Sequence, residues 1–178
     1  MDVLKRHSWS AVLLALIFSA MVSKAGDLSR LPFVQKTFGD CQLEKENVFL
    51  KGELLQKVKQ ELSSKPDSKI IRTFKLKNCS GPKSGRLYFL SDVVRTHYQT
   101  LLFHIQDHEI QRLKLLEFNE PQKYAPPENW QKQFSQKEEV RNVDALTGAT
   151  LTESSFKKLG RLVLIIDQAI GQRQEGRP

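Results

Sequence analysis

Apolar positions recur along this chain with two periods, and the change from one to the other marks out its elements. Leu54, Leu55, Val58 and Leu62 return at helical spacing between Lys, Gln and Glu, which predicts a helix over 52–63. Ser63-Ser64-Lys65-Pro66-Asp67 supplies the stop. The period then falls to two. Ile70, Phe74 and Leu76 predict a strand over 69–77, and Leu87, Phe89 and Val93 a second over 86–94. The turn-rich run Asn78-Cys79-Ser80-Gly81-Pro82-Lys83-Ser84-Gly85 separates them. Over 100–106, Leu101, Phe103 and Ile105 face one way while Leu102 and His104 face the other. Asp107-His108-Glu109 connects that strand to another over 110–118, so this pair reads as a hairpin.

Helical spacing returns near the end. Pro126-Pro127-Glu128-Asn129 opens a short helix that sets Trp130 and Phe134 one turn apart. Phe156, Leu159, Val163, Ile166 and Ile170 form one apolar stripe on a helix over about 151–170. Thr150 and Glu153 fit a capping box at its start, and Gly171 fits a stop. The residues from 172 onward read as a frayed tail, and 26–47 as an irregular stretch that wraps the domain. Strands grouped together with helices at the ends predict an α+β fold, an antiparallel sheet with helices packed on one side.

The first 25 residues follow neither period. Lys5 and Arg6 precede an apolar run from Ala11 to Val22, and Ser23-Lys24-Ala25 follows with small residues at the two positions a signal peptidase reads. This is the layout of a signal peptide over 1–25, cleaved after Ala25, with a single domain over 26–178. An uncleaved anchor is the alternative. Either way the rest of the chain is expected to be exported, in the periplasm or membrane-associated and facing it.

Composition changes this picture little. At 39% hydrophobic and 27% charged, the chain reads as an ordinary globular protein of 178 residues. Its net charge of +8 raises the question of nucleic acid. The Lys and Arg residues alternate with acidic ones, however, and form no stripe with aromatics, so nucleic acid is not an expected partner. In an exported protein a basic surface aids solubility or steers toward an acidic partner or anionic lipid. Cys41 and Cys79 are either a disulfide or two buried thiols.

Candidate chemistry concentrates in Val143-Asp144-Ala145-Leu146-Thr147-Gly148-Ala149-Thr150-Leu151-Thr152, a loop entering the last helix. Gly148 frees the backbone, Ala145 and Ala149 leave room, and Thr147, Thr150 and Thr152 offer hydroxyls. The helix start adds unpaired N–H groups and the positive end of a dipole, which together suit a phosphate. Composition alone favours a well-capped helix after a turn over a phosphate site.

This segment resembles the flavinylation motif of the FMN-binding domain family. That family includes the C subunit of the sodium-translocating NADH:quinone reductase, the G subunit of the Rnf complex and single-domain exported proteins. The family pattern is matched at Asp144, Ala145, Thr147, Gly148, Ala149, Thr150 and Thr152, with Leu146 and Leu151 at its two free positions. The resemblance implies an FMN-binding-domain-like fold and FMN held covalently on Thr152 through a phosphoester. It also implies a flavin transferase that installs FMN from FAD with a divalent metal. The protein would then be an exported electron carrier rather than a substrate-specific oxidoreductase, serving a membrane electron-transport complex, a cytochrome or another redox protein. An FMN-dependent reductase of a small exported acceptor and a non-redox phosphate- or partner-binding module are the alternatives. A looser likeness over about 85–170 runs through Ser91-Asp92-Val93-Val94-Arg95 and Leu116-Glu117-Phe118-Asn119-Glu120-Pro121 with Tyr124 and Trp130. Asp107-His108-Glu109 departs from it, since many members carry an Asp-Gly turn there.

Against a bound flavin ring, Tyr124, Trp130 and Phe134 are packing candidates, each with simple core as the alternative. Glu120 reads as an exposed acid, with contact to the ring's polar edge as the alternative, and Lys157 and Lys158 as a solvated helix face, with offsetting of the phosphate charge as the alternative. His104 and His108 have a helical metal-pair spacing but fall on a strand and a turn, so no metal site is expected.

Overall fold

The computed structural model describes residues 31–62, 66 and 68–175. The expected signal peptide at 1–25 and most of the expected helix stop at 63–67 lie outside the described residues. Two compact units are formed, Met1–Gly39 and Asp40–Pro178. In the first, α1 (Pro32–Phe38) starts on a proline at its first position, where a missing N–H costs nothing.

The second unit is an antiparallel five-stranded sheet with helices, an α+β fold. Its elements are β1 (Gln42–Phe49), α2 (Gly52–Leu62), β2 (Ile70–Lys77), β3 (Arg86–Val93), β4 (Tyr98–Gln106), β5 (Glu109–Phe118), α3 (Glu128–Gln131) and α4 (Thr150–Glu175). The strands lie in sequence order, β1-β2-β3-β4-β5, each antiparallel to the next. Short connections suffice for such a meander, and no crossover is needed.

β1 falls within the stretch expected to be irregular. Its sequence shows no apolar alternation because it is an edge strand paired on one side only. Charges hold it to the sheet: Glu44 pairs with Lys77 at 2.5 Å and Glu46 with Arg86 at 3.1 Å. Cys41 and Cys79 form a disulfide that ties the start of β1 to the loop after β2. The bond closes 38 residues of chain, a constraint worth about 4 kcal/mol in the chain-entropy account.

The β4–β5 hairpin turns through Asp107 and His108, both in the left-handed region at φ 53° and 62°. Two such residues in a row are the geometry a two-residue hairpin asks for, and glycine or asparagine usually supplies it. Here His108 is held from outside the turn. Its Nδ1 bonds Asp167 Oδ2 at 2.9 Å on α4. Gly171 makes room for it: a Cβ there would lie 2.7 Å from the imidazole Cε1. The expected helix stop at Gly171 is therefore corrected. The helix continues to Glu175, and the glycine serves a close approach inside it. The frayed tail is shortened accordingly.

One core fills the space between the sheet and its helices. Leu101, Phe103 and Ile105 of β4 point into it, as their alternation predicts. Phe156, Leu159, Val163 and Ile166 of α4 meet them, with Leu54 and Val58 of α2 alongside. Trp130 and Phe134 pack edge-on with centroids 5.3 Å apart, and Trp130 reaches Phe156 at 5.5 Å. Each such pair adds about 1 kcal/mol to the area it buries. Among the described residues no helix is long and apolar enough to cross a membrane.

Candidate functional site

The start of α4 meets three other segments of the second unit at a cleft of about 150 Å³. Thr150, Leu151 and Thr152 form one wall with Gly148 and Ala149 before them. Val94 and Arg95 come from the β3–β4 loop, Glu120 follows β5, and Tyr124 ends the 3-10 turn Gln122–Tyr124.

The backbone enters this helix through a turn that Gly148 makes possible. Its φ is +77°, while nothing lies within 4 Å of where a Cβ would stand. The glycine therefore serves the backbone conformation, not space for a close neighbour. Ala149 N–H donates to Leu146 O at 3.0 Å, and Glu153 N–H to Ala149 O at 3.0 Å. Thr150, Leu151 and Thr152 precede that first helical bond, so their amides have no carbonyl one turn earlier in the helix. The expected capping box does not form. Thr150 is the first helical residue rather than the cap, and Glu153 Oε2 accepts the N–H of Leu146 at 2.8 Å, reaching past the cap to fix the incoming loop. Lys157 Nζ bonds the other oxygen of Glu153 at 2.8 Å and, with the Leu146 amide, holds its carboxyl below the usual range.

Thr152 is 1% exposed, on the cleft wall, and its Oγ1 donates to Tyr124 O at 3.1 Å. One turn on, Ser155 Oγ donates to Asp92 Oδ2 at 2.5 Å and accepts from Gln99 Nε2 at 2.7 Å. Lys158 Nζ reaches Asp92 Oδ1 at 2.7 Å. These contacts clamp the first two turns of α4 to β3 and β4. The solvated helix face expected for Lys157 and Lys158 is corrected, since both are bound to carboxylates.

Glu120 is likewise corrected from an exposed acid to a buried one, 5% exposed. Its Oε1 accepts three successive amides, from Arg95 at 3.0 Å, Thr96 at 2.8 Å and His97 at 3.0 Å. Those N–H bonds, Thr96 first, hold the carboxyl below its usual range. The charge of Glu120 is thus spent on shaping the β3–β4 loop. Arg95 then lies over the Tyr124 ring at 4.6 Å, and Lys123 Nζ at 4.9 Å. Lys123 lowers the Tyr124 phenol from its usual value.

The structure thus brings Gly148, Ala149, Thr150, Leu151 and Thr152 together on one wall. Thr147 and Asp144 are exposed in the loop before it and do not line the cleft. Asp144 contributes backbone instead: its O accepts from Trp130 Nε1 at 2.9 Å, and its N–H donates to Gln133 Oε1 at 2.9 Å. Trp130 and Phe134 are core, so Tyr124 alone of the three aromatic candidates reaches the cleft. Arg95 was not singled out from sequence. It stands in the sequence only as the end of the run over 91–95, between two expected strands, a place that many surface arginines share. His104 and His108 point to different partners, Ser84 O at 2.7 Å and Asp167. Burial lowers the His104 pKa.

Helix-start amides and Arg95 in one lining, with the Glu120 carboxylate committed to loop amides, suit an anion, and the Thr152 hydroxyl in that lining is a group that can be esterified. No family model matches the chain, nor does any curated protein or solved structure match it.

Proposed function

We propose that this protein is an exported electron carrier holding FMN through a phosphoester on Thr152. The carrying observation is that Thr152 lines a cleft together with helix-start amides and Arg95, its hydroxyl covered by the Gln122–Tyr124 turn. Among the described residues Arg95 has no carboxylate partner, and Glu120, the acid in the lining, is committed to loop amides, so the helix-start amides and Arg95 are the groups left for a phosphoryl group.

The residues fit FMN in size as well as charge. A cleft of about 150 Å³ is below the roughly 300–1,000 Å³ that encloses a whole ligand of drug size. It would take the phosphoryl end and leave the ring outside, with Tyr124 the aromatic side chain in its lining. FMN supplies the one- and two-electron chemistry; the protein supplies attachment, position and charge.

Attachment is a transfer from FAD. The Thr152 oxygen would bond to the FMN phosphorus as the bond linking it to AMP breaks, AMP departing with the hydroxyl proton. The amides of Thr150 and Leu151 would be the donors for the phosphoryl group, and Arg95 would offset its charge. Because Thr152 is covered and bonded to Tyr124 O, the Gln122–Tyr124 turn must move aside for a transferase to reach it. A covalent link keeps the cofactor where no free FMN pool replaces it.

Expression with a flavin transferase tests this reading. A yellow protein heavier by one FMN less a water supports it. A folded protein of unmodified mass in transferase-positive cells overturns it and favours a non-redox phosphate-binding module.

A further inference from the structure

The sheet has a second face, opposite α2 and α4, and its exposed end has a chemistry of its own. Five large hydrophobic residues are exposed among the described residues, and four of them lie on this face: Phe49 at 53%, Ile70 at 51%, Val93 at 44% and Tyr98 at 62%. Strand register gathers them. Phe49 pairs with Ile70, and Val93 with Tyr98. The β2–β3 register, Arg72 opposite Phe89, carries Ile70 opposite Ser91 when continued by two residues. Ser91 in turn bonds Thr100 at 3.0 Å. The four apolar side chains therefore span the same end of β1 to β4 in two successive rows.

Cations stand immediately behind them. The next row of this face carries Arg72 and Lys114, and the row after it Lys45 and Arg112, by the pairings Leu102–Lys114, Lys45–Phe74 and His104–Arg112. Lys114 is shared with Glu128 at 2.6 Å. Arg72, Lys45 and Arg112 have no carboxylate partner among the described residues. Glu117 is the acid beside the apolar rows, and it is turned to Asn119 and Thr100.

We propose that this end of the sheet docks on an anionic lipid surface, with the four apolar side chains in the acyl boundary and Arg72, Lys45 and Arg112 against headgroup phosphates. Spacing favours lipid over protein. Rows on one face of a strand are about 7 Å apart, so the first cations stand about 7 Å behind the apolar rows. That is the depth to which interfacial apolar faces sink, about 5–10 Å, with basic side chains at the phosphate level and aromatic rings between. A protein interface instead rings an apolar centre with a polar rim and is depleted in Lys. The β3–β4 loop that follows Val93 also walls the cleft, so docking would hold the cleft beside the bilayer. This proposal needs no flavin and stands or falls apart from Thr152.

Tyr98→Trp places a reporter in the patch, and Lys59→Trp on α2 serves as its control on the opposite side, each in a Trp9→Phe background that removes the tryptophan beside the apolar run, while Trp130 is buried in the core. Both are made in the full chain and mixed with vesicles of phosphatidylcholine, with or without phosphatidylglycerol. A site-specific reporter separates this surface from the apolar run at 11–22, which has its own affinity for bilayers. We expect the Trp at 98 to shift blue and be quenched by brominated lipid with phosphatidylglycerol vesicles only, and the control to stay unchanged. Lys45→Glu with Arg72→Glu should weaken that response about tenfold or more. An unchanged Trp at 98 overturns the proposal, as does a response to polyglutamate without one to vesicles, which would mark an acidic protein partner. If Tyr98→Trp does not fold, hydrogen exchange of residues 70–72 and 93–98 in the unsubstituted protein is the deciding measurement. Protection on phosphatidylglycerol vesicles supports docking, and unaltered exchange overturns it.

Discussion

The two ends of α4 are built on opposite principles. At its C-terminal half polar groups converge on one buried carboxylate, with Arg86 Nη2 alone of the cluster left without a partner among the described residues. Asp167 is 4% exposed, with Oδ1 accepting from Tyr88 at 2.7 Å, Oδ2 bonded to His108, and Arg86 Nη1 at 3.6 Å. Burial raises the Tyr88 phenol far above its usual value, so it stays a donor to Asp167. At its N-terminal end the carboxylates Glu120 and Glu153 are used up on loop amides, while the helix amides and Arg95 are left without acids. Saturated polar groups fix a fold; unsaturated ones, held in place by saturated neighbours, are free for a ligand. The second end needs the first, because a helix anchored at Asp167 cannot slide its Thr152 away from the cleft.

The comparison is broken most completely by Thr152→Ala. Flavin attachment should fall to nothing, read as a colourless protein of unmodified mass. Stability should fall only by about 1 kcal/mol, the worth of one hydrogen bond to Tyr124 O. Asp167→Ala should do the reverse. It strands the Tyr88 hydroxyl and leaves the buried Arg86 guanidinium with Glu46 alone, and removing one partner of such a set costs about 3–5 kcal/mol. Thermal denaturation should show a fall of roughly 10 °C, with flavin still attached to the folded fraction.

Two glycines sharpen the contrast at smaller scale. Gly148→Ala meets no neighbour but must keep φ +77°, so it should cost about 1 kcal/mol and lower the yield of attachment. Gly171→Ala lies in the helix, where alanine gains about 1 kcal/mol, yet its Cβ pushes the His108 ring off Asp167. Its net effect on melting should be near zero, with faster hydrogen exchange confined to the 107–108 turn.

The smallest effect concerns pH. The Glu120 carboxyl is lowered in the folded state, so its contribution is present at neutral pH and is lost as pH falls through that lowered value. Amides 95–97 should stay protected at pH 7 and lose protection below about pH 4 before the sheet melts. In Glu120→Gln that acid-dependent loss should vanish.

The α+β class, four of the five strands and the long helix were legible because each buries an apolar face at a fixed period. β1 was not. Three of the eight residues of Gln42–Phe49 are charged and two more are amides, since an edge strand bound by a disulfide and cross-strand ion pairs has little apolar surface to show. The wall from Gly148 to Thr152 was legible because a positive-φ glycine, small residues and hydroxyls coincide in one short run. The roles of Glu120, Arg95 and Lys158 were not, because each depends on a partner distant in sequence: amides 23 to 25 residues away for Glu120, the Tyr124 ring for Arg95, and Asp92 for Lys158. Gly171 misled for a related reason. A glycine near a helix end is usually a stop, and only the His108 ring reveals why this one lies inside.

The most direct measurement is peptide mapping by mass spectrometry of the exported protein from cells that possess a flavin transferase. The account predicts that the peptide containing Thr152 carries one FMN less a water, and that no other peptide does. A bare Thr152 in protein shown to be folded would contradict it.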